Sequence, residues 1–133
     1  MKIGFIGLGN VGGKLVSSLI RSKFDLTVRD LDENLMRSFK DQGAKVVNSP
    51  KELAEKVDLV ITCLPSTKIC AEVMEGENGV LKGLSENKIW LEMSTTDEAE
   101  VKRIGQKVIE KKAIPLDGPV SLSLIHISEP TRP

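Results

Sequence analysis

The 133-residue chain has no excess of charge of either sign, because Lys plus Arg and Asp plus Glu both number 19. Nucleic acid and anionic membrane surfaces select a basic excess, so neither is an expected partner. No apolar run approaches the ~18–20 residues that cross a bilayer. The N-terminus also lacks a charged segment followed by an apolar stretch and a cleavage site, so no secretory signal is read. Histidine is nearly absent: His126 is the one present, in the C-terminal tail and remote in sequence from Cys63 and Cys70. That argues against a metal site and for two buried or half-buried thiols in reducing, cytoplasmic surroundings. What remains is a chain of ordinary globular composition, 40% hydrophobic and 29% charged, long enough for one domain with a real core.

The chain is organised around Lys2–Gly12, KIGFIGLGNVG. Ile3, Phe5 and Ile6 suit a buried strand, and Val11, Leu15, Val16, Leu19 and Ile20 form one apolar helical face. Between them Gly7, Gly9 and Gly12 match G-x-G-x-x-G. In a dinucleotide site the first glycine allows the tight turn, the second lets backbone approach a pyrophosphate, and the third lets helix pack close on strand. The pyrophosphate then sits on free N–H groups at the positive end of the helix. A bare glycine-rich turn is the plainer alternative. Asp30 weighs against it, since it ends the next apolar run, Leu26–Val28, where a carboxylate accepts hydrogen bonds from a ribose.

Strand and helix signals alternate along the rest of the chain. A helix is expected over Glu33–Gln42, with Leu35, Met36 and Phe39 on one face and Gly43 as its stop, then a short strand at Lys45–Val47. Ser49-Pro50-Lys51-Glu52 reads as a helix start, with Ser49 as N-cap and Glu52 closing a capping box. Further strands are expected at Leu59–Cys63, Ile89–Met93 and Ile114–Leu116. Helices are expected at Thr67–Met74, grouping Ile69, Cys70, Val73 and Met74, and at Asp97–Lys111, with Val101, Ile104, Val108 and Ile109 inward. Gly76, Asn78, Gly79 and Gly83 mark a loop. Near-continuous apolar strands separated by helices predict an α/β fold, a single domain with a doubly wound parallel sheet of the dinucleotide-binding (Rossmann-like) order. Ligands of such sheets collect beyond the carboxyl ends of the strands: Gly7–Gly12, Asp30–Leu31, Leu64–Ser66, Ser94–Thr96 and Asp117–Ser121.

At those positions the sequence resembles the β-hydroxyacid dehydrogenase family, the relatives of 3-hydroxyisobutyrate dehydrogenase, tartronate semialdehyde reductase and 6-phosphogluconate dehydrogenase. The matching pieces are GFIGLGNVG at Gly4–Gly12, CLPS at Cys63–Ser66, ENGVL at Glu77–Leu81, EMST at Glu92–Thr95 and LDGPVS at Leu116–Ser121. The resemblance covers Met1–Ser121, the N-terminal cofactor domain, and implies an oxidoreductase passing hydride between a nicotinamide cofactor and a small 3-hydroxy acid or 2-hydroxy-3-oxo acid. It places Gly7, Leu8, Gly9, Asn10, Val11, Gly12, Asp30, Leu64, Pro65 and Thr95 at the cofactor and Ser121 at the substrate carboxylate. Pro65 also serves as a strand stop, and Ser94 and Thr95 as caps for the following helix. Asp30 followed by Leu31 favours NAD over NADP, because a 2′-hydroxyl suits a carboxylate and a 2′-phosphate needs a cation. Arg29 is near, but strand alternation directs it away from Asp30.

The resemblance stops at Ser121. Leu122 and Ser123 stand where the family has two glycines, and LSLIHISEPTRP, residues 122–133, reads as a non-family tail, a read-through or artefact. The family's catalytic Lys and its helical second domain, which carries the subunit contact, lie beyond this point. No catalytic residue is therefore expected here, with Lys111, Lys112 and His126 all unsuited, and an oligomer is expected only with the second domain. The expectation is cofactor binding with little turnover, in a chain that is either the cofactor domain of such an enzyme or a free-standing, non-catalytic NAD-binding module.

Overall fold

Each apolar run becomes a strand and each amphipathic stretch a helix in the computed structural model, which describes residues 1–7, 10–64, 66–93 and 98–117. In chain order these are β1 (Lys2–Ile6), α1 (Asn10–Arg21), β2 (Asp25–Arg29), α2 (Glu33–Asp41), β3 (Lys45–Val46), α3 (Pro50–Lys56) and β4 (Leu59–Thr62). Then follow α4 (Thr67–Glu75), a 3₁₀ turn (Val80–Lys82), β5 (Ile89–Glu92), α5 (Glu98–Glu110) and β6 (Ile114–Asp117). The ends of the helices are set by side chains that satisfy orphan N–H groups. Asp32 Oδ1 accepts from the N–H of Asn34 at 2.9 Å and of Leu35 at 3.3 Å to start α2. Gly43 lies just past its end at φ +115°, a conformation that suits glycine. Ser49 Oγ accepts from Glu52 N at 3.1 Å and Pro50 opens α3, but Glu52 turns its carboxylate to Lys56, at 3.3 Å, instead of closing the box.

All six strands are parallel, in the order β3-β2-β1-β4-β5-β6. β1 therefore sits between β2 and β4, with Ile3 level with both Leu26 and Leu59. The chain winds outward through β2 and β3, returns to the other side of β1, and winds outward again. Sheet order thus reverses between β1 and β4, and a crevice opens outside the carboxyl ends of the strands at such a reversal.

Strand alternation sends side chains to two layers. On one face Ile3 and Phe5 of β1, Leu26 and Val28 of β2, and Leu59 and Ile61 of β4 pack on Val16 and Leu19 of α1 and Phe39 of α2. On the other, Ile6, Val60 and Trp90 meet Leu53 and Ala54 of α3, Cys70 and Met74 of α4, and Val101, Ile104 and Val108 of α5. Burying each of the larger side chains contributes about 1.5–3 kcal/mol. Ile109 departs from expectation. It is 51% exposed, because Val101, Ile104 and Val108 already define the inward stripe of α5 and Ile109 is rotated about 100° beyond Val108. Among the described residues no helix is long and apolar enough to cross a membrane.

Candidate functional site

The reversal between β1 and β4 creates one tight junction. Gly7 follows β1 at φ +99°, donates its N–H to Arg29 O at 3.1 Å, and lies so close to Cys63 that a Cβ would sit 2.1 Å from that residue's carbonyl oxygen. A Cβ on Gly12 would fall 2.2 Å from Gly7 O and 3.1 Å from the Phe5 ring. Both positions therefore exclude a side chain, one by conformation and contact and the other by the approach of α1 to β1.

This junction forms one wall of a cavity of ≈ 560 Å³. Gly7, Gly12, Asp30 and Leu64 line it together, four of the residues singled out from sequence. Asn10 and Val11 open α1. Leu8, Gly9, Pro65, Thr95 and Ser121 lie outside the described residues. The lining also includes Leu31, within the expected stretch Asp30–Leu31, and Asp32, Cys63, Ile69 and Val73, which the sequence reading did not assign to a ligand. Ile69 and Val73 are one helical turn apart on α4. Their neighbours Cys70 and Met74 turn into the core, so the four-residue grouping seen in the sequence serves two surfaces.

The β2 side of the cavity, next to Gly7, carries charged residues. Asp30 Oδ1 accepts from Asp32 N–H at 2.8 Å, which fixes the turn between β2 and α2 and holds the Asp30 carboxyl beside the cavity. Leu31 between them is 88% exposed and borders the same space. Arg29 also borders it, and its guanidinium Nη1 lies 3.8 Å from Met36 Sδ on α2. A glycine turn feeding a helix start, a carboxylate rim and an aliphatic wall of Leu64, Ile69 and Val73 suit a ligand with a phosphate, vicinal hydroxyls and a flat apolar ring.

Neither cysteine is poised for chemistry. Cys63 packs with the α1 face of the sheet and Cys70 with the α3–α5 face, both as free thiols. Burial pushes the Cys63 thiol pKa up, and the Glu92 carboxylate adds to the shift. Cys70 is raised further, by burial first and then by Glu92, whose Oε2 its Sγ contacts at 2.8 Å. Glu92 itself is 1% exposed at the end of β5, an acid inside the apolar run IWLEM. Its Oε2 also receives Thr62 Oγ1 at 2.9 Å, and Thr62 Oγ1 accepts in turn from Trp90 Nε1 at 3.0 Å.

Over residues 2–124 the chain matches the family described as the NAD binding domain of 6-phosphogluconate dehydrogenase. It is 37% identical over 119 residues to the mitochondrial 3-hydroxyisobutyrate dehydrogenase of Mus musculus, a stretch that is 90% of this chain and 36% of that protein. This chain thus spans little more than a third of that relative's length. Among solved structures, an imine reductase from Myxococcus stipitatus in complex with NADP+ superposes with a TM-score of 0.80 at 14% identity, over 88% of this chain and 40% of that one. The V8 variant of the same reductase in complex with NAD+ gives 0.79 at 15% identity, over 87% and 39%. At those identities the likeness is one of fold.

Proposed function

The chain belongs to the family of the NAD binding domain of 6-phosphogluconate dehydrogenase, and on that premise we propose that it binds NAD, in preference to NADP, in the cavity between β1, β2 and β4. The observation that carries the reading is the meeting of Gly7 and Gly12, Asp30, and Leu64, from three separate stretches of the sequence, around one space. Gly7 supplies the tight turn and Gly12 the close approach of α1 to β1, while Gly9 lets backbone approach a pyrophosphate, with Leu8, Asn10 and Val11 as the rest of the loop and helix start. Asp30 accepts the ribose hydroxyls, Leu64 and Pro65 flank the adenosine, and Thr95 lies toward the nicotinamide. When bound, the nicotinamide accepts or donates hydride. The preference for NAD rests on Asp30, because a carboxylate at the rim binds a 2′-hydroxyl and repels a 2′-phosphate.

The partner in reaction is a small 3-hydroxy acid or 2-hydroxy-3-oxo acid, a class supported by the name of the Mus musculus relative, with Ser121 at its carboxylate. Residues 1–121 are the dinucleotide-binding domain and 122–133 a tail outside it. We assign no catalytic residue to this chain: a general acid or base typically supplies ~10²–10⁴-fold in rate, and on our reading the chain alone binds cofactor with little turnover. The two free thiols support a reducing compartment, which we take to be the cytoplasm.

The test is a fluorescence titration of the chain with NADH and NADPH, beside Asp30→Ala. Saturable NADH binding, tighter than NADPH, is expected. Asp30→Ala should weaken NADH about tenfold, the scale of a lost hydrogen bond to a charged group, and narrow the preference. A folded chain that binds neither cofactor would overturn the proposal.

A further inference from the structure

Glu92 does not line the cavity, yet its hydrogen bonds reach residues next to the cavity wall. Thr62, one partner, directly precedes Cys63, and Cys70, the other, directly follows Ile69; Cys63 and Ile69 both line the space. The direction of these bonds follows from the groups. An indole N–H only donates, so Thr62 Oγ1 accepts from Trp90 and has its own proton to give to Glu92. Cys70, held as a thiol, donates its S–H to the same oxygen. One carboxylate oxygen on β5 thus holds the end of β4 and the first turn of α4 at 2.9 Å and 2.8 Å.

Apolar packing would fill this space without directional restraint, because the hydrophobic effect has no preferred geometry. A buried acid, by contrast, is costly unless directional hydrogen bonds satisfy it. We infer that Glu92 is a positioning residue for the dinucleotide cavity: by clamping Thr62 and Cys70 it sets the separation between the Cys63–Leu64 wall and the Ile69–Val73 wall. The inference rests on the cavity being the dinucleotide site proposed above. It predicts that losing the clamp loosens ligand binding in a molecule that remains folded.

Cys70 offers the cleanest perturbation, since Cys70→Ala deletes the donor and Cys70→Ser restores one. NADH affinity is measured for the 133-residue chain and both variants, at a temperature where far-UV circular dichroism shows all three folded. Cys70→Ala is expected to weaken NADH about tenfold and Cys70→Ser to stay within about twofold of the parent, the scale of a lost buried hydrogen bond. A purely structural role would lower the melting temperature of Cys70→Ala and leave its NADH affinity unchanged, and that result overturns the inference. Should Cys70→Ala not fold, Cys70→Val, which refills the volume without a donor, takes its place. If neither folds while Cys70→Ser does, the bond holds the fold and not the cavity, and the inference fails. A parent chain that does not bind NADH removes the proposed function itself; a parent and Cys70→Ala that bind alike remove only the role of Glu92.

Discussion

Two helical glycines in this chain should respond to alanine with opposite signs. In a helix interior Ala is favoured over Gly by about 1 kcal/mol, so propensity alone predicts that Gly12→Ala in α1 and Gly105→Ala in α5 both stabilise. The surroundings separate them. At Gly105 the new Cβ meets Pro115 at 3.6 Å, an ordinary contact, and the propensity gain survives. At Gly12 it would lie 2.2 Å from Gly7 O and 3.1 Å from the Phe5 ring, so α1 must retreat from β1 by about 1 Å to reach van der Waals distance. Val16 and Leu19 of α1, buried against Phe5, go with it. Such overpacking costs about 1–3 kcal/mol against a gain of about 1 kcal/mol, for a net loss of up to about 2 kcal/mol. In a chain of this size 1 kcal/mol moves the melting temperature by about 3–5 °C. Thermal melts followed by far-UV circular dichroism should therefore rise for Gly105→Ala and fall for Gly12→Ala. NADH titration should show binding lost only in the latter. A Gly12→Ala protein as stable as the parent, with unchanged NADH affinity, would refute the claim that this glycine exists for close helix–strand approach.

The ion-pair cluster joining α4 and α5 gives a pH-dependent prediction. Glu75 takes hydrogen bonds from Arg103, at 2.8 Å, and from Lys107, and these hold its pKa down to about 2 from an ordinary 4.5. A depressed carboxylate contributes stability above its unfolded pKa and loses it as pH falls through the folded one. Glu75→Gln should thus cost about 0.5–1 kcal/mol at neutral pH, with the gap to the parent closing between pH 4.5 and 2 in urea melts and shrinking in high salt. Asp32→Ala removes the cap that receives Asn34 and Leu35 N–H, and should destabilise by about 1 kcal/mol in the same assay.

The alternation of elements was legible because each strand is a nearly continuous apolar run and each helix shows a stripe, and the parallel order followed from that pattern with the glycine turn. Strand and helix ends moved by about a residue. The 3₁₀ turn at Val80–Lys82 was hidden in a stretch that glycines mark as loop. Around the cavity, glycine and acid spacing singled out Gly7, Gly12 and Asp30, which line it, because those positions depend on local backbone. The aliphatic wall was not readable, because adjacent positions on α4 diverge by about 100° and only tertiary packing decides that Ile69 and Val73 face the cleft. Glu92 was less readable still: its partners are 30 and 22 residues away in sequence, and nothing local marks an acid in IWLEM as buried.

The position of β1 between β2 and β4 also governs how the chain can be made. β1 is synthesised well before β4, its partner on one side, which begins about 56 residues later, next to the point where Asp58 Oδ2 accepts the N–H of Lys2 at 2.9 Å. At about 5–20 residues per second of synthesis, that flank of β1 waits several seconds for β4. Throughout that interval Ile3, Phe5 and Ile6 belong to a strand with one open edge, and their final burial must await loop closure over half the length of the domain. The glycine turn at the end of β1 is thus translated well before the β4 residues that complete it. A nascent chain that ends before β4 has no assembled cavity and exposes an apolar strand to aggregation or chaperone capture.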